Sequence, residues 1–200
     1  MCEDNRMKAL KYNDHARYFL EAAFVASKHA TENRSKNPAA FNNFEAVIVG
    51  THHSFAAEIL LKGIIYFHKG SHPREHEIKI LLDQVECSAL KRTIVNNFNP
   101  DKHISFIKPR MELALDSYLK NLDKDDEFDK KEIKRINDIR KKYEFRSFNY
   151  FLELHSNHFV KMRYACEKNP PPLDMNFTSF LNGELRKELE INLLKLKESN

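Results

Sequence analysis

Apolar side chains recur along this chain at steps of three and four residues, and no stretch alternates convincingly at steps of two, so the predicted elements are helices. Tyr12, Ala16, Phe19, Leu20, Ala23 and Ser27 share one face of a helix predicted from Asp14 to about Ala30. Thr31 to Phe41, with Asn33, Ser35, Asn37 and Pro38, is rich in turn-forming residues and reads as a loop. A second helix is predicted from about Asn42 to Lys69, ending at Gly70, because glycine tolerates the positive φ of a helix C-terminus. Ser71, His72 and Pro73 turn the chain into a third, about Glu75 to Asn97, with Ile78, Leu81, Leu82 and Val85 on one face and Asn99-Pro100-Asp101 closing it. A fourth begins with Pro109 at the first helical position and carries Met111, Ala114, Leu115, Tyr118, Leu119 and Leu122.

The acidic stretch Asp123 to Asp129 and the basic one from Lys130 to Arg146, with Ile133, Ile136 and Ile139 threaded through it, both read as solvated, Glu132 among the exposed charges. Phe148, Phe151, Leu152, His155, Phe159, Met162 and Cys166 then form one stripe that must face a core, and Pro170-Pro171-Pro172 ends it. Asp174 is placed to cap a last helix in which Phe177, Leu181, Leu185, Leu189, Leu193 and Leu196 repeat at nearly every fourth position; it serves as a lid on the bundle or as a dimer contact. With no internal repeat and no low-complexity linker, residues 1–200 read as one all-α domain. The predicted architecture is an up-and-down antiparallel bundle of about five to six helices, with its core over about 12–168 and a C-terminal helix over about 174–198.

Composition agrees with this picture: four glycines among 200 residues disfavour a turn-rich β fold, and 42% hydrophobic content suffices for a core. The longest apolar run, Ile59 to Phe67, is interrupted by Lys62 and Gly63 and falls far short of the ~20 residues that cross a bilayer. The acidic N-terminus has no signal-peptide character, so the expectation is a soluble cytoplasmic protein without a membrane partner. Cys2, Cys87 and Cys166 lack C-x-x-C spacing and read as reduced thiols. A net charge of +4 neither demands nor excludes nucleic acid.

The chemistry-bearing signals are few. There is no phosphate-cradling glycine loop, no H-E-x-x-H and no G-x-S-x-G. The tightest histidine sets are His155 with His158, and His68, His72 and His76; Gly70 and Pro73 break the helix across the second, so no metal site and no cofactor are expected. His155 sits in an apolar stripe and reads as a hydrogen-bonded core histidine. On the second helix, Glu58 and Lys62 fall in the middle of the face formed by Phe44, Ile48, Thr51 and Phe55. Charges there are costly unless paired, so they form an internal i, i+4 ion pair or line a pocket. Arg163 and Glu167, flanking Tyr164, are a second i, i+4 pair, either structural or part of a phosphate or carboxylate site. Lys130, Lys131, Lys134, Arg135, Arg140, Lys141, Lys142 and Arg146 suit a nucleic-acid backbone or, with Glu132, Asp138 and Glu144 interleaved, a solvated helix face.

Ser54-Phe55-Ala56-Ala57-Glu58-Ile59-Leu60-Leu61-Lys62-Gly63, followed by His76-Glu77-Ile78 and Leu81-Leu82, resembles the first half of HEPN-domain proteins, where a helix with a Glu-x-x-x-Lys element precedes a His at the start of the next helix. Phe159 to Glu167, with Arg163-Tyr164 and Glu167, is similar to that family's late helix; the resemblance spans about Tyr12 to Lys168. It implies a helical bundle, often a homodimer, associated with RNA or nucleotides, with Arg163, Tyr164 and Glu167 near Glu58, Lys62 and His76. Many members are metal-independent ribonucleases that use an Arg followed by a His after four to six residues on one helix. Here no His follows Arg163 at that spacing. The resulting expectation is a non-catalytic HEPN-like module binding a nucleotide, RNA or a protein partner. The alternatives are a metal-independent ribonuclease with a diverged centre, with Arg163 and with His155 or His158 for proton transfer, or a purely structural interaction protein.

Overall fold

The computed structural model describes residues 3–36, 43–71, 73–85, 88–157 and 172–198; the statements below concern these residues. It is all-helical: α1 (Glu3–Lys36), α2 (Asn43–Lys69), α3 (Ile78–Gln84), α4 (Ser88–Asn97), α5 (Pro100–His103), α6 (Lys108–Lys120), α7 (Glu127–Lys142), α8 (Phe148–His155) and α9 (Met175–Glu198). Among the described residues no helix is long and apolar enough to cross a membrane.

The helices α1 and α2 form an antiparallel hairpin. Ala9, Ala16 and Ala23, seven residues apart on α1, are fully or almost fully buried, and small side chains at these steps let two helix backbones approach closely. Phe19 meets Phe55 edge-on, with ring centroids 4.4 Å apart, and Tyr12 lies against Tyr66 further along the pair. Between them Gly63 passes so near that a Cβ there would stand 2.8 Å from Tyr12 Cβ and 3.2 Å from Leu189 Cδ2, so no larger residue fits without a backbone shift. This contact also brings in α9. Asn182 is bonded to His53 and Leu189 touches Gly63, so α9 runs parallel to α2 and antiparallel to α1. Phe177, Leu181, Leu185, Leu189 and Leu193 are all buried, and the last helix serves the core.

Several boundaries differ from the sequence expectation. Helix α1 extends to Glu3 and Lys36, across residues 31–36 that read as loop; within it the Thr31 hydroxyl is accommodated by donating to the Ser27 carbonyl one turn back. The third predicted helix is divided: Val85 is extended (φ −66°, ψ 114°), which ends α3 before α4 begins. The stretch around Lys130 is not a merely solvated face. It is the amphipathic helix α7, capped by Asp126, whose Ile136 and Ile139 are in the core and whose Asp129 and Glu132 are buried at 2% and 3% exposure. With the third predicted helix divided into α3 and α4, and with α5 and α7 added, the described residues hold nine helical segments instead of five to six.

The start of α9 is fixed by Asp174, which is fully buried. Its Oδ1 accepts the amides of Asn176 and Phe177, capping the helix, and its Oδ2 accepts those of Ser105 and Phe106 in the α5–α6 loop. Its own amide donates to His155 Nε2 at the end of α8, 2.7 Å away. One residue thus ties three parts of the chain, two through its carboxylate and the third through its backbone amide. Asp174→Ala is expected to lower stability by about 2–4 kcal/mol, the sum of a lost cap and of buried amides left without acceptors. Chemical denaturation checks it; a loss below about 1 kcal/mol, the size of an ordinary cap, would show that water or backbone shifts replace the carboxylate.

Candidate functional site

Residue 58 lies midway along α2, where the helix is covered on both sides, and Glu58 is only 3% exposed. A buried carboxylate needs partners, and two arrive at the same oxygen. Lys62, one turn later, donates from Nζ to Glu58 Oε1 at 2.8 Å, and His76 Nδ1 lies 2.9 Å from that oxygen. The i, i+4 spacing with Glu N-terminal to Lys is the favourable order.

His76 reaches Glu58 because the chain reverses. Gly70, at φ 71°, ends α2 with its amide on the Tyr66 carbonyl. Glu75 Oε1 then accepts the amides of His76 and Glu77 at 2.7 and 3.0 Å, which shapes the strand of loop that carries His76. These amide bonds, Glu77 first, hold the Glu75 carboxyl below its usual range, with His76 and Lys62 adding to the effect. The far side of the loop is anchored to α8: the amides of Ile78 and Lys79 donate to the carbonyl and Oγ of Ser156. His76 itself keeps half of its side chain exposed while Lys62 keeps 11%. Glu58 Oε2 is buried and makes no hydrogen bond among the described residues.

A second polar knot, which sequence reasoning placed in solvent, adjoins this loop. Arg135 holds Glu132 in a fork, Nε to Oε2 at 2.7 Å and Nη2 to Oε1 at 2.9 Å, and its Nη1 donates to the Glu153 carbonyl. Burial and then the neighbouring Glu132 push the Tyr118 hydroxyl far above its ordinary range. Glu77, raised by burial and by Glu75, sits close enough to Arg135 to be partly offset by it. The Ile133, Ile136, Ile139 period is the sequence signal for an inward face here, though lysines dilute it, and the i, i+3 spacing of Glu132 and Arg135 lets the two pair on that side.

His155 is a core residue, 5% exposed. Because its Nε2 accepts the Asp174 amide, its proton is on Nδ1. Near it His53, Ser54, Thr178 and Leu181 line a cavity of ≈ 10 Å³, far below the ~300–1,000 Å³ of small-molecule sites. His53 is held neutral there: burial, then His52, lowers its pKa to about 4, and Asn182 Nδ2 donates to its carbonyl. A surface cleft of ≈ 390 Å³ lies elsewhere, with the His103 ring stacked on Phe180 and with Glu184 bonded to both Asn97 and Lys187; it contains none of the sequence-predicted residues.

The structure therefore brings together Glu58, Lys62 and His76, and sets His155 apart in the core. His158, Arg163, Tyr164 and Glu167 lie outside the described residues. No group of three or more His, Cys, Asp or Glu among the described residues is placed to hold a metal.

Two expectations follow from this geometry. Glu58→Ala should cost about 3–5 kcal/mol, since it strands the Lys62 charge in the interior, whereas Glu127→Ala, at a 79% exposed side chain, should cost well under 1 kcal/mol. Equal shifts in the urea midpoint would place Glu58 in solvent. Glu132, being buried, belongs with Glu58 and not with the exposed comparator.

The second expectation concerns acid. A histidine whose folded pKa lies near 4 against an unfolded 6.5 binds its proton more readily when unfolded, so stability is lost as pH falls through that window. The loss is on the order of 3 kcal/mol. In stability measurements from pH 7 to pH 4, wild type should fall more steeply than His53→Gln; parallel profiles would show that His53 protonates freely in the fold. Comparison with known proteins adds no name to these features: no protein-family model, no curated protein and no solved structure matches the chain.

Proposed function

We propose that this chain is a HEPN-like helical module that binds RNA or a nucleotide beside Glu58, Lys62 and His76 and does not cleave it. The observation that carries the reading is the convergence of Lys62 and His76 on Glu58 Oε1 across 18 residues of sequence. The resemblance assigns a ligand-facing role to these three positions, and it adds Arg163, Tyr164 and Glu167 to the same site. The half-exposed His76 and the Lys62 ammonium suit phosphate charge, and the buried Glu58 holds both in place. The antiparallel α1–α2 hairpin agrees with the helical setting that the resemblance implies, whereas α9 lies beyond the span of that resemblance.

The ribonuclease alternative needs a proton-transfer group. His155 is buried and its Nε2 already accepts an amide, so that role would fall to His158 with Arg163. The interaction-protein alternative has less of the last helix to use as its contact, because Leu181, Leu185, Leu189 and Leu193 of α9 are in the core.

Fluorescence anisotropy with a labelled single-stranded RNA and with a labelled nucleotide tests the proposal. His76→Ala should weaken whichever ligand binds by about 10-fold or more, the value of one charge-assisted hydrogen bond, with the circular dichroism spectrum unchanged. No cleavage above background should appear on gels. Unaltered affinity in His76→Ala would make the Glu58 cluster a structural tie only; RNA cleavage lost in Arg163→Ala and in His158→Ala would promote the ribonuclease.

A further inference from the structure

The surface cleft of ≈ 390 Å³ falls in the size range of small-molecule sites, unlike the small cavity beside His53. One wall is a face of α9, where Ser179, Phe180, Gly183, Glu184 and Lys187 fall at steps that share a side of the helix. The other is made by Asn97 at the end of α4 and His103 at the end of α5. Gly183 is the anomaly among them. Glycine weakens a helix interior, and at Gly63 the reason for it is the close approach of Tyr12 and Leu189. Gly183 has no such reason: its φ is not positive, and a Cβ there would meet nothing within 4 Å. The effect of its missing side chain is to keep the cleft open midway along the α9 wall.

The polar groups around that space are held in place from within the chain. The Asn99 amide donates to His103 Nδ1 at 2.9 Å, so the ring carries its proton on Nε2, and the ring lies nearly flat on Phe180 with centroids 4.1 Å apart. Glu184, 8% exposed, accepts from Asn97 on one oxygen and from Lys187 on the other, each at 2.7 Å. Lys187 is thereby fixed at the cleft while its side chain stays 69% exposed. His103 Nε2 and the remaining protons of the Lys187 ammonium have no partner among the described residues. Burial and then Lys102 keep the imidazole neutral, with Glu184 opposing and Lys187 adding to the effect. The charges acting on the ring thus carry an excess of one cation.

We propose that this cleft binds a small aromatic carboxylic acid, its carboxylate accepting from the Lys187 ammonium and from His103 Nε2–H and its ring lying over Gly183 beside Phe180. One excess cation suits a monoanion, and the Glu184 carboxylate next to Lys187 disfavours a phosphate dianion. No residue of α2 lines the cleft, so the proposal stands without the RNA or nucleotide reading.

The probe is benzoate, titrated at pH 7 and low ionic strength into the full chain and followed by proton NMR of the His103 imidazole, a resonance assigned by its loss in His103→Gln. Benzoate should shift it saturably with a Kd of about 1 mM, as expected of so small a ligand. Benzamide, with the same ring and no charge, should bind about 10-fold more weakly, and phenyl phosphate should also bind more weakly than benzoate. Gly183→Leu, which fills the space, should abolish the shift while the melting midpoint of the ligand-free chain holds or rises. Lys187→Gln keeps a donor for Glu184 without the charge and should weaken benzoate by about 10-fold. An unmoved His103 resonance would overturn the proposal, as would benzamide or phenyl phosphate binding as tightly as benzoate, or benzoate affinity unchanged in Gly183→Leu or Lys187→Gln. A ligand-free Gly183→Leu chain that melts lower would also overturn it, by showing that the glycine serves packing.

Discussion

Asp174 is the constraint on which the rest of the arrangement depends. A carboxylate with no solvent must find donors for its oxygens inside the protein, and this one finds four backbone amides from two separate segments. Its own amide fixes the tautomer of His155 at the end of α8. The first turn of α9 is thereby set in one place, and the leucines that follow it at four-residue steps enter the groove beside α2 in one register. The parallel course of α9, the closeness of Leu189 to Gly63 and the covering of α2 on its second side all follow from where that helix starts.

Charge is distributed on the same logic. In α7 the arginines turn inward, Arg135 onto Glu132 and Arg140 onto Glu112 and Asp116, whereas Lys131, Lys134 and Lys141 face water. A guanidinium can satisfy a buried carboxylate with two parallel bonds, and an ammonium with its strong hydration is better left outside. Glu58 takes the other route, accepting one lysine from its own helix and one histidine from a distant loop.

The sequence carries the helical class openly, since the three-and-four period runs through nearly every segment, and it carries the Glu58–Lys62 pair because two charges interrupt an apolar face. Asp174 as a cap and His155 as a core histidine are legible for similar local reasons. What the period does not carry is which face of a charged helix is inside: Ile136 and Ile139 are too diluted by lysines to outweigh the impression of a solvated α7, although Glu132 and Arg135 are buried together there. The length of α1 is missed because polar helix-formers have no preference strong enough to overrule turn residues until Ala9, Ala16 and Ala23 find α2. The division of α3 from α4 and the parallel course of α9 are products of long-range packing, which no local window contains.

That parallel course has a consequence for how the molecule assembles. The hairpin of α1 and α2 closes over a short stretch of chain, but the bond from Asn182 to His53 joins residues 129 positions apart. Contacts of such sequence separation carry a large loop-closure entropy and are made after local ones. Until α9 arrives, the side of α2 that meets it, at His53 and Gly63, lacks that cover, so the chain passes through a stage in which its most apolar helix is partly bare. During synthesis that stage lasts until α9 has left the ribosome, and an apolar helix face bare for that long is open to wrong contacts.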